Sequence, residues 1–262
     1  MKTARSVGEV RASLPPGEIG LVPTMGALHA GHVALFEAAR AESDFVVASV
    51  FVNPAQFGPG EDYERYPRDE EADAQLALAA GIDLLFAPPV EEIYPEGFRT
   101  WVEVEDAGGR EAAARPNHFR GVATVCLKLF NIVRPRRAYF GQKDARQVAV
   151  IKSLVRDLNL EVEIRVMPTV RDPDGLAVSS RNAYLTADER QRALALPRAL
   201  AAGAAAHRTG GSAVDAARGS MNGLDVEYLA EDVDPDGRLL LEAAVRVGRT
   251  RLIDNVILEG DG

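Results

Sequence analysis

Within ten positions, Pro23-Thr24-Met25-Gly26-Ala27-Leu28-His29-Ala30-Gly31-His32 gathers two imidazoles, two glycines and the start of an amphipathic helix. Imidazoles at a helix entrance can donate to phosphate oxygens as negative charge migrates during phosphoryl or nucleotidyl transfer. A helix N-terminus adds unpaired N–H groups and partial positive charge, and Gly26 and Gly31 let the backbone approach a ligand. Phosphate binding is therefore the chemistry to expect. Taken alone, a His-x-x-His pair more often caps its helix or packs beneath a loop, so the rest of the chain must decide. Two later segments carry suitable groups. Gly141-Gln142-Lys143-Asp144 places a flexible cation at a strand end, where it can follow phosphate charge into a transition state. Val178-Ser179-Ser180-Arg181 offers hydroxyls and a guanidinium fork. In isolation, the Lys-Asp pair is an ordinary exposed ion pair and Ser-Ser-Arg an ordinary loop.

The elements that must hold these groups alternate. Ser6 and Glu9 have capping-box spacing for a first helix, Pro15-Pro16-Gly17 ends it, and Ile19 to Val22 reads as a buried strand that hands over to the histidine-bearing helix. Phe45 to Val52 is continuous and valine-rich, as a parallel strand covered on both faces must be. A helix over Asp69 to Ala80 leads to a strand at Ile82 to Ala87, and Trp101 to Val104 reads as a further short strand. Val122 to Ile132 is a helix buried on most of its circumference. Strands at Ala138 to Phe140 and Val162 to Met167 bracket a helix that runs to about Asp157. This α/β alternation predicts a doubly wound, Rossmann-like parallel sheet with ligands at the carboxyl ends of its strands. Beyond the turn and hinge Arg171-Asp172-Pro173-Asp174-Gly175 the pattern changes: one alanine-rich helix over Thr186 to His207, another over Ser212 to Met221, and strands at Val226 to Leu229, Leu239 to Val247 and Leu252 to Leu258. The expected division is residues 1–172 as the catalytic domain and 173–262 as a smaller α+β domain.

Composition narrows the class. The 262 residues are 47% hydrophobic and 26% charged, and no apolar run reaches the about 18 residues that suggest a membrane span. A formal net charge of −9 argues against a general nucleic-acid binder, whose affinity comes from cationic side chains on phosphates. Cys126 is the single cysteine and sits in an apolar run without metal-ligand spacing, so it reads as a small buried hydrophobe. With neither a basic leader nor a cleavage site at the start, a cytoplasmic protein is expected.

Six blocks in register give the chain a likeness. Pro23 to His32, Phe51-Val52-Asn53-Pro54-Ala55-Gln56-Phe57, Tyr66-Pro67-Arg68, Arg115 to Val122, Phe140 to Asp144 and Ser179 to Asn182 all stand in the order of the pantothenate synthetase (pantoate–β-alanine ligase) family of the nucleotidyltransferase superfamily, which the chain resembles. The resemblance spans nearly the whole chain. It implies a two-step reaction. Pantoate's carboxylate attacks the α-phosphorus of MgATP to form pantoyl adenylate and pyrophosphate, then the amine of β-alanine attacks the acyl carbon and releases AMP. Mg²⁺ enters with ATP, and the family implies a homodimer.

By the same resemblance His32, His29 and Lys143 are the catalytic residues. The ATP site would comprise Met25, Gly26, Ala27, Leu28, His29, Ala30, Gly31 and His32, with Gly141, Gln142, Lys143, Asp144, Val170, Val178, Ser179, Ser180 and Arg181. Gln56 and Gln147 match pantoate-binding positions, Gln56 also facing β-alanine, while Asn53 and Phe57 shape that pocket. His118 matches a position near the pantoate end, with a buried structural histidine as the alternative. No direct metal ligand is assigned. Asp73 and Asp144 are candidate magnesium contacts, although Glu70-Glu71-Ala72-Asp73 reads more simply as a solvated acidic helix start. The chain departs from the family pattern at Ala55, Gln142 and Arg146, and a cation beside Gln147 either strengthens carboxylate binding or points to solvent. Two other readings stay open: an adenylyltransferase with a phosphorylated acceptor, and a silent nucleotide-binding or metal-sensing module, which His29 and His32 alone cannot furnish with enough ligands.

Overall fold

The computed structural model describes residues 1–105 and 109–258, so the last four residues of the expected small domain lie outside the described residues. The chain forms two compact units, Met1–Gly141 with Gln147–Met167, and Gln142–Arg146 with the chain from Pro168 onward.

The larger unit is built on six strands: β1 (Lys2–Ala4), β2 (Ile19–Thr24), β3 (Phe45–Val50), β4 (Leu84–Phe86), β5 (Arg137–Gly141) and β6 (Glu163–Met167). They pair in the order β1-β4-β3-β2-β5-β6, every pair parallel. Such a sheet is covered on both faces, which is why β3 and β4 are apolar without alternation. Val47, Leu84 and Phe86 face one core with the helix His118–Val133, while Val46, Ala48 and Leu85 face another with Phe36 and Ala39 of the helix Ala30–Glu42. From β2 the strand order runs one way through β3 and β4, then reverses to β5 and β6. The crevice at such a reversal lies at the carboxyl ends of β2 and β5. Thr24 ends the first and leads into the histidine turn; Gly141 ends the second.

The smaller unit contains an antiparallel sheet of β7 (Asp225–Val233), β8 (Leu239–Val247) and β9 (Thr250–Ile257). One face packs on the helices Ala195–Arg208 and Ala213–Ser220 through Leu241, Ala243, Val245, Leu196 and Ala217. The doubly wound sheet and smaller α+β part agree with expectation.

Two elements differ. Residues Trp101 to Val104 form no strand; Val102 and Val104 pack on the core and the Val102 N–H donates to Thr124 Oγ1 at 3.0 Å. Their alternation reflects one-sided burial without a strand partner. The expected single helix over Thr186 to His207 is two, Ala187–Ala193 and Ala195–Arg208, meeting at Leu194. Pro197 explains the break, since it lacks the N–H that a continuous helix would use and is tolerated only in a first turn.

Candidate active site

The histidine turn is held by its own backbone. His29 caps the helix Ala30–Glu42, its Nδ1 accepting from the Gly31 N–H at 3.2 Å, and His32 Nδ1 accepts from the His29 N–H at 3.2 Å. A nitrogen that accepts cannot carry the proton, so this geometry belongs to the imidazole tautomer with its proton on Nε2. The rings lie 4.1 Å apart between centroids, tilted by 32°. The cap thereby favours the tautomer that carries its proton on Nε2. Gly31 serves the same geometry, because a Cβ there would meet His29 Cε1 at 3.0 Å.

Upstream, Gly26 and Ala27 adopt left-handed φ of 81° and 51°. Alanine tolerates this region only where the surroundings impose it, and Asp73 supplies that constraint. Its Oδ2 accepts from the Ala27 N–H at 3.0 Å and its Oδ1 from the Leu28 N–H at 2.7 Å. The carboxylate is buried, not solvated as its acidic neighbours Glu70 and Glu71 suggest. Burial pushes its pKa up, and the Leu28 and Ala27 N–H groups pull back in part. Gly26 admits the carboxylate, since a Cβ would stand 2.8 Å from Oδ2. Both oxygens brace the loop that holds Met25 through Leu28.

Gln56 lies on a turn, Pro54–Gln56, that is buried against the helix His118–Val133. Asn53 Nδ2 donates to Gln56 Oε1 at 2.7 Å and to Gly121 O at 3.1 Å. With its carbonyl so engaged, the Gln56 amide has its NH₂ to offer a ligand. The Gln56 main-chain oxygen accepts from His118 Nδ1 at 2.7 Å and from Arg115 at 3.2 Å. That fixes the proton of His118 on Nδ1, with Nε2 facing the Arg115 guanidinium at 3.2 Å. Burial, then the Arg115 charge, push the imidazole pKa down to about 4, so it is neutral at physiological pH. Arg115 is paired in turn with Glu61 at 2.6 Å. His118 is half-buried, and its Nδ1 bond supports the Gln56 main chain. Gly121 lets helix and turn approach: a Cβ would fall 2.3 Å from Ala55 O. Phe57 packs edge-on against Tyr63 and Tyr66. Gln147 is half-buried near the start of the helix Ala145–Asp157.

The remaining groups belong to the smaller unit. Gln142, Lys143 and Asp144 form a single turn after β5, with Lys143 Nζ 3.5 Å from Asp144 Oδ1. Arg146 neither faces solvent nor stands unmatched: it is buried against Glu242 at 2.6 Å and Asp232 at 2.8 Å. Val170 and Val178 close a tight hairpin, the Val178 N–H donating to Val170 O at 3.0 Å, so these two backbone groups already have partners. The hairpin is tied by Arg171 to Asp254 at 2.7 Å and by Asp172 to Arg190 at 2.7 Å. Ser179 caps the turn Ser180–Tyr184, accepting from the Arg181 N–H. Among the described residues no three His, Cys, Asp or Glu side chains converge as a metal site. Cys126 is buried and its thiol pKa is pushed up to about 12 by that burial, as a structural residue requires.

A parallel α/β sheet with a histidine turn at its switch point is the architecture of a nucleotide-using enzyme, and comparison with known proteins makes the class specific. The profile of the family described as Pantoate-beta-alanine ligase matches residues 1–257. Pantothenate synthetase of Moorella thermoacetica is 54% identical over 259 residues, covering 92% of this chain and 91% of that protein. The crystal structure of pantothenate synthetase from Thermus thermophilus superposes with a TM-score of 0.95 at 50% identity, covering 98% of this chain and 99% of that one. Pantoate-beta-alanine ligase from Francisella tularensis, complexed with beta-gamma ATP and beta-alanine, gives 0.85 at 37% identity, with 98% of each chain covered. The chain belongs to the pantoate–β-alanine ligase family.

Proposed function

We propose that this enzyme condenses (R)-pantoate with β-alanine, using ATP and releasing AMP and pyrophosphate. The observation that carries the reading is family membership over nearly the whole chain, joined to a histidine turn whose tautomers present Nε2–H donors. In the first step a pantoate carboxylate oxygen bonds to the α-phosphorus and the bond to the bridging oxygen breaks, expelling pyrophosphate. The Nε2–H groups of His32 and His29 and the Lys143 ammonium stabilise charge that grows on the phosphates. Met25 through His32, Gly141 through Asp144, Val170 and Val178 through Arg181 bind ATP. Gln56 donates its NH₂ to pantoate, and Gln147 helps hold that acid. In the second step the β-alanine amine, near Gln56, adds to the acyl carbon and the C–O bond to AMP breaks. Positioning does most of this work, because the anhydride already carries a good leaving group. The adenylate must be kept from water, the role proposed for residues 173–262 as a mobile cover over the catalytic domain 1–172.

Mg²⁺ belongs to this reading as part of MgATP, held mainly by phosphate oxygens and water, as that ion prefers; Asp144, whose oxygens do not brace the histidine loop as those of Asp73 do, is the carboxylate proposed to approach it. A homodimer and a cytoplasmic location complete the reading, on the strength of the resemblance. No described helix is long and apolar enough to cross a membrane. Product analysis is the test: with ATP, Mg²⁺, pantoate and β-alanine, AMP should appear in step with pantothenate. ADP and phosphate in its place would mean an acyl-phosphate mechanism and overturn the proposal.

A further inference from the structure

The sheet of the smaller unit has an apolar face and a second face whose polar groups are also buried. Leu241, Ala243, Val245, Leu252 and Val256 point to the helices. Alternation sends Glu242 and Asn255 the other way, as direct partners across β8 and β9, with Asp232 of β7 beside them. Glu242 is 3% exposed and Asn255 5%, so both need partners for their polar atoms. The segment 142–146 supplies them. Asn255 Nδ2 donates to Gln142 O at 3.0 Å and to Lys143 O at 2.9 Å, and its Oδ1 accepts from Gln142 Nε2 at 3.1 Å. At the other end Arg146 Nε donates to Glu242 at 2.6 Å and its guanidinium reaches Asp232 at 2.8 Å. The five residues are thus gripped at both ends by side chains from one sheet face, with Lys143 between.

Asn255 carries the donors and the acceptor that this task needs. Its two amide hydrogens meet two consecutive carbonyl oxygens, while its own oxygen meets an N–H donor. The reversed amide would oppose three like groups, so its orientation is fixed. A lysine side chain has four rotatable bonds, and its ammonium can be brought to one place only if the main chain beneath it does not wander.

We propose that Asn255 is a positioning residue for adenylate formation: by fixing the main chain at Gln142 and Lys143 it sets where the Lys143 ammonium stands, and the Glu242–Arg146 pair anchors the far end. The inference rests on the role proposed for Lys143. Asn255→Asp keeps the shape and replaces the donor with an acceptor that faces two carbonyls. Pantoate-dependent exchange of labelled pyrophosphate into ATP should fall about 10–100-fold in kcat, the effect of a misplaced catalytic group. KM for pantoate should stay within about twofold, since Gln56 and Gln147 belong to the other unit.

The decisive comparison is a double-mutant cycle with Lys143→Ala. If Asn255 works through Lys143, Asn255→Asp adds nothing to the loss already caused by Lys143→Ala; independent, multiplying losses would show a general structural role and overturn the proposal. Normal exchange by Asn255→Asp with a slow Lys143→Ala enzyme also overturns it while leaving the lysine's role intact. Normal turnover by Lys143→Ala removes both. Should circular dichroism show that Asn255→Asp does not fold, Asn255→Ser goes through the same cycle with the same criteria.

Discussion

The histidines and the lysine of this enzyme are held in opposite ways. His29 and His32 each accept from an N–H group of their own turn, across two and three residues. Lys143 sits on a segment held by side chains 96 to 113 residues further along the chain, on the sheet of the smaller unit. The first arrangement forms as soon as the helix forms, and it ties tautomer to cap. The second exists only when the smaller sheet is complete, so the lysine's position reports on the fold of that unit. Gln56 lies between these extremes: Asn53, three residues away, orients its amide, while Arg115 and the helix residues His118 and Gly121 fix its main chain from far along the chain.

Breaking the remote support should have the largest effect on stability. Arg146→Met takes the cation from buried Glu242 and should cost about 3–5 kcal/mol in urea unfolding, the usual penalty for breaking a buried pair. Arg146→Met with Glu242→Leu should recover much of it; a double variant no better than the single would show that the pair's charges are not what matters. The local support makes a different prediction. His32→Ala should slow adenylate formation roughly a hundredfold or more, about 2.7 kcal/mol, as for a lost oxyanion donor. His32→Ala should cost stability no more than a lost helix-cap bond, about 1 kcal/mol in thermal melts. Near-normal turnover would remove His32 from the mechanism.

Gly121→Ala probes the intermediate case. Its added methyl must displace the Ala55–Gln56 main chain, so pantoate affinity should weaken and stability should drop by roughly 1–3 kcal/mol. ATP affinity measured by titration should hardly change; loss of ATP binding instead would mean that the acid and nucleotide subsites have been exchanged. The smallest effect expected is a pH dependence. His118 titrates near 4 when folded and near the ordinary 6.5 when unfolded, because burial opposes its charge. As pH falls through that window the unfolded chain takes a proton that the folded chain refuses, so stability declines, by on the order of 1–2 kcal/mol between pH 6.5 and 5. His118→Gln should flatten this slope in thermal melts, and an unchanged slope would assign it to other groups.

The same division between local and remote support decides what was legible in the sequence. The Ser6–Glu9 capping box, the histidine turn and the buried parallel strands were readable because their partners are close by or their pattern repeats. Asp73 looked like one more acid in a helix's first turn, since its partners, the Ala27 and Leu28 amides, lie 46 and 45 residues away. Arg146 looked like a departure that either strengthens carboxylate binding or points to solvent; it does not point to solvent, and its partners Glu242 and Asp232 went unread because they come from the far sheet. β1 is three residues long and gives no pattern of its own; it exists because β4 offers an edge. Pro197 was a visible signal for the helix break that the surrounding alanines concealed.

The central claim, that adenylate formation precedes and does not need β-alanine, is tested most directly by isotope exchange. With ATP, Mg²⁺ and pantoate alone, labelled pyrophosphate should enter ATP, because the first step is reversible and complete without the amine. Exchange that proceeds without pantoate, or that appears only when β-alanine is added, would contradict the account.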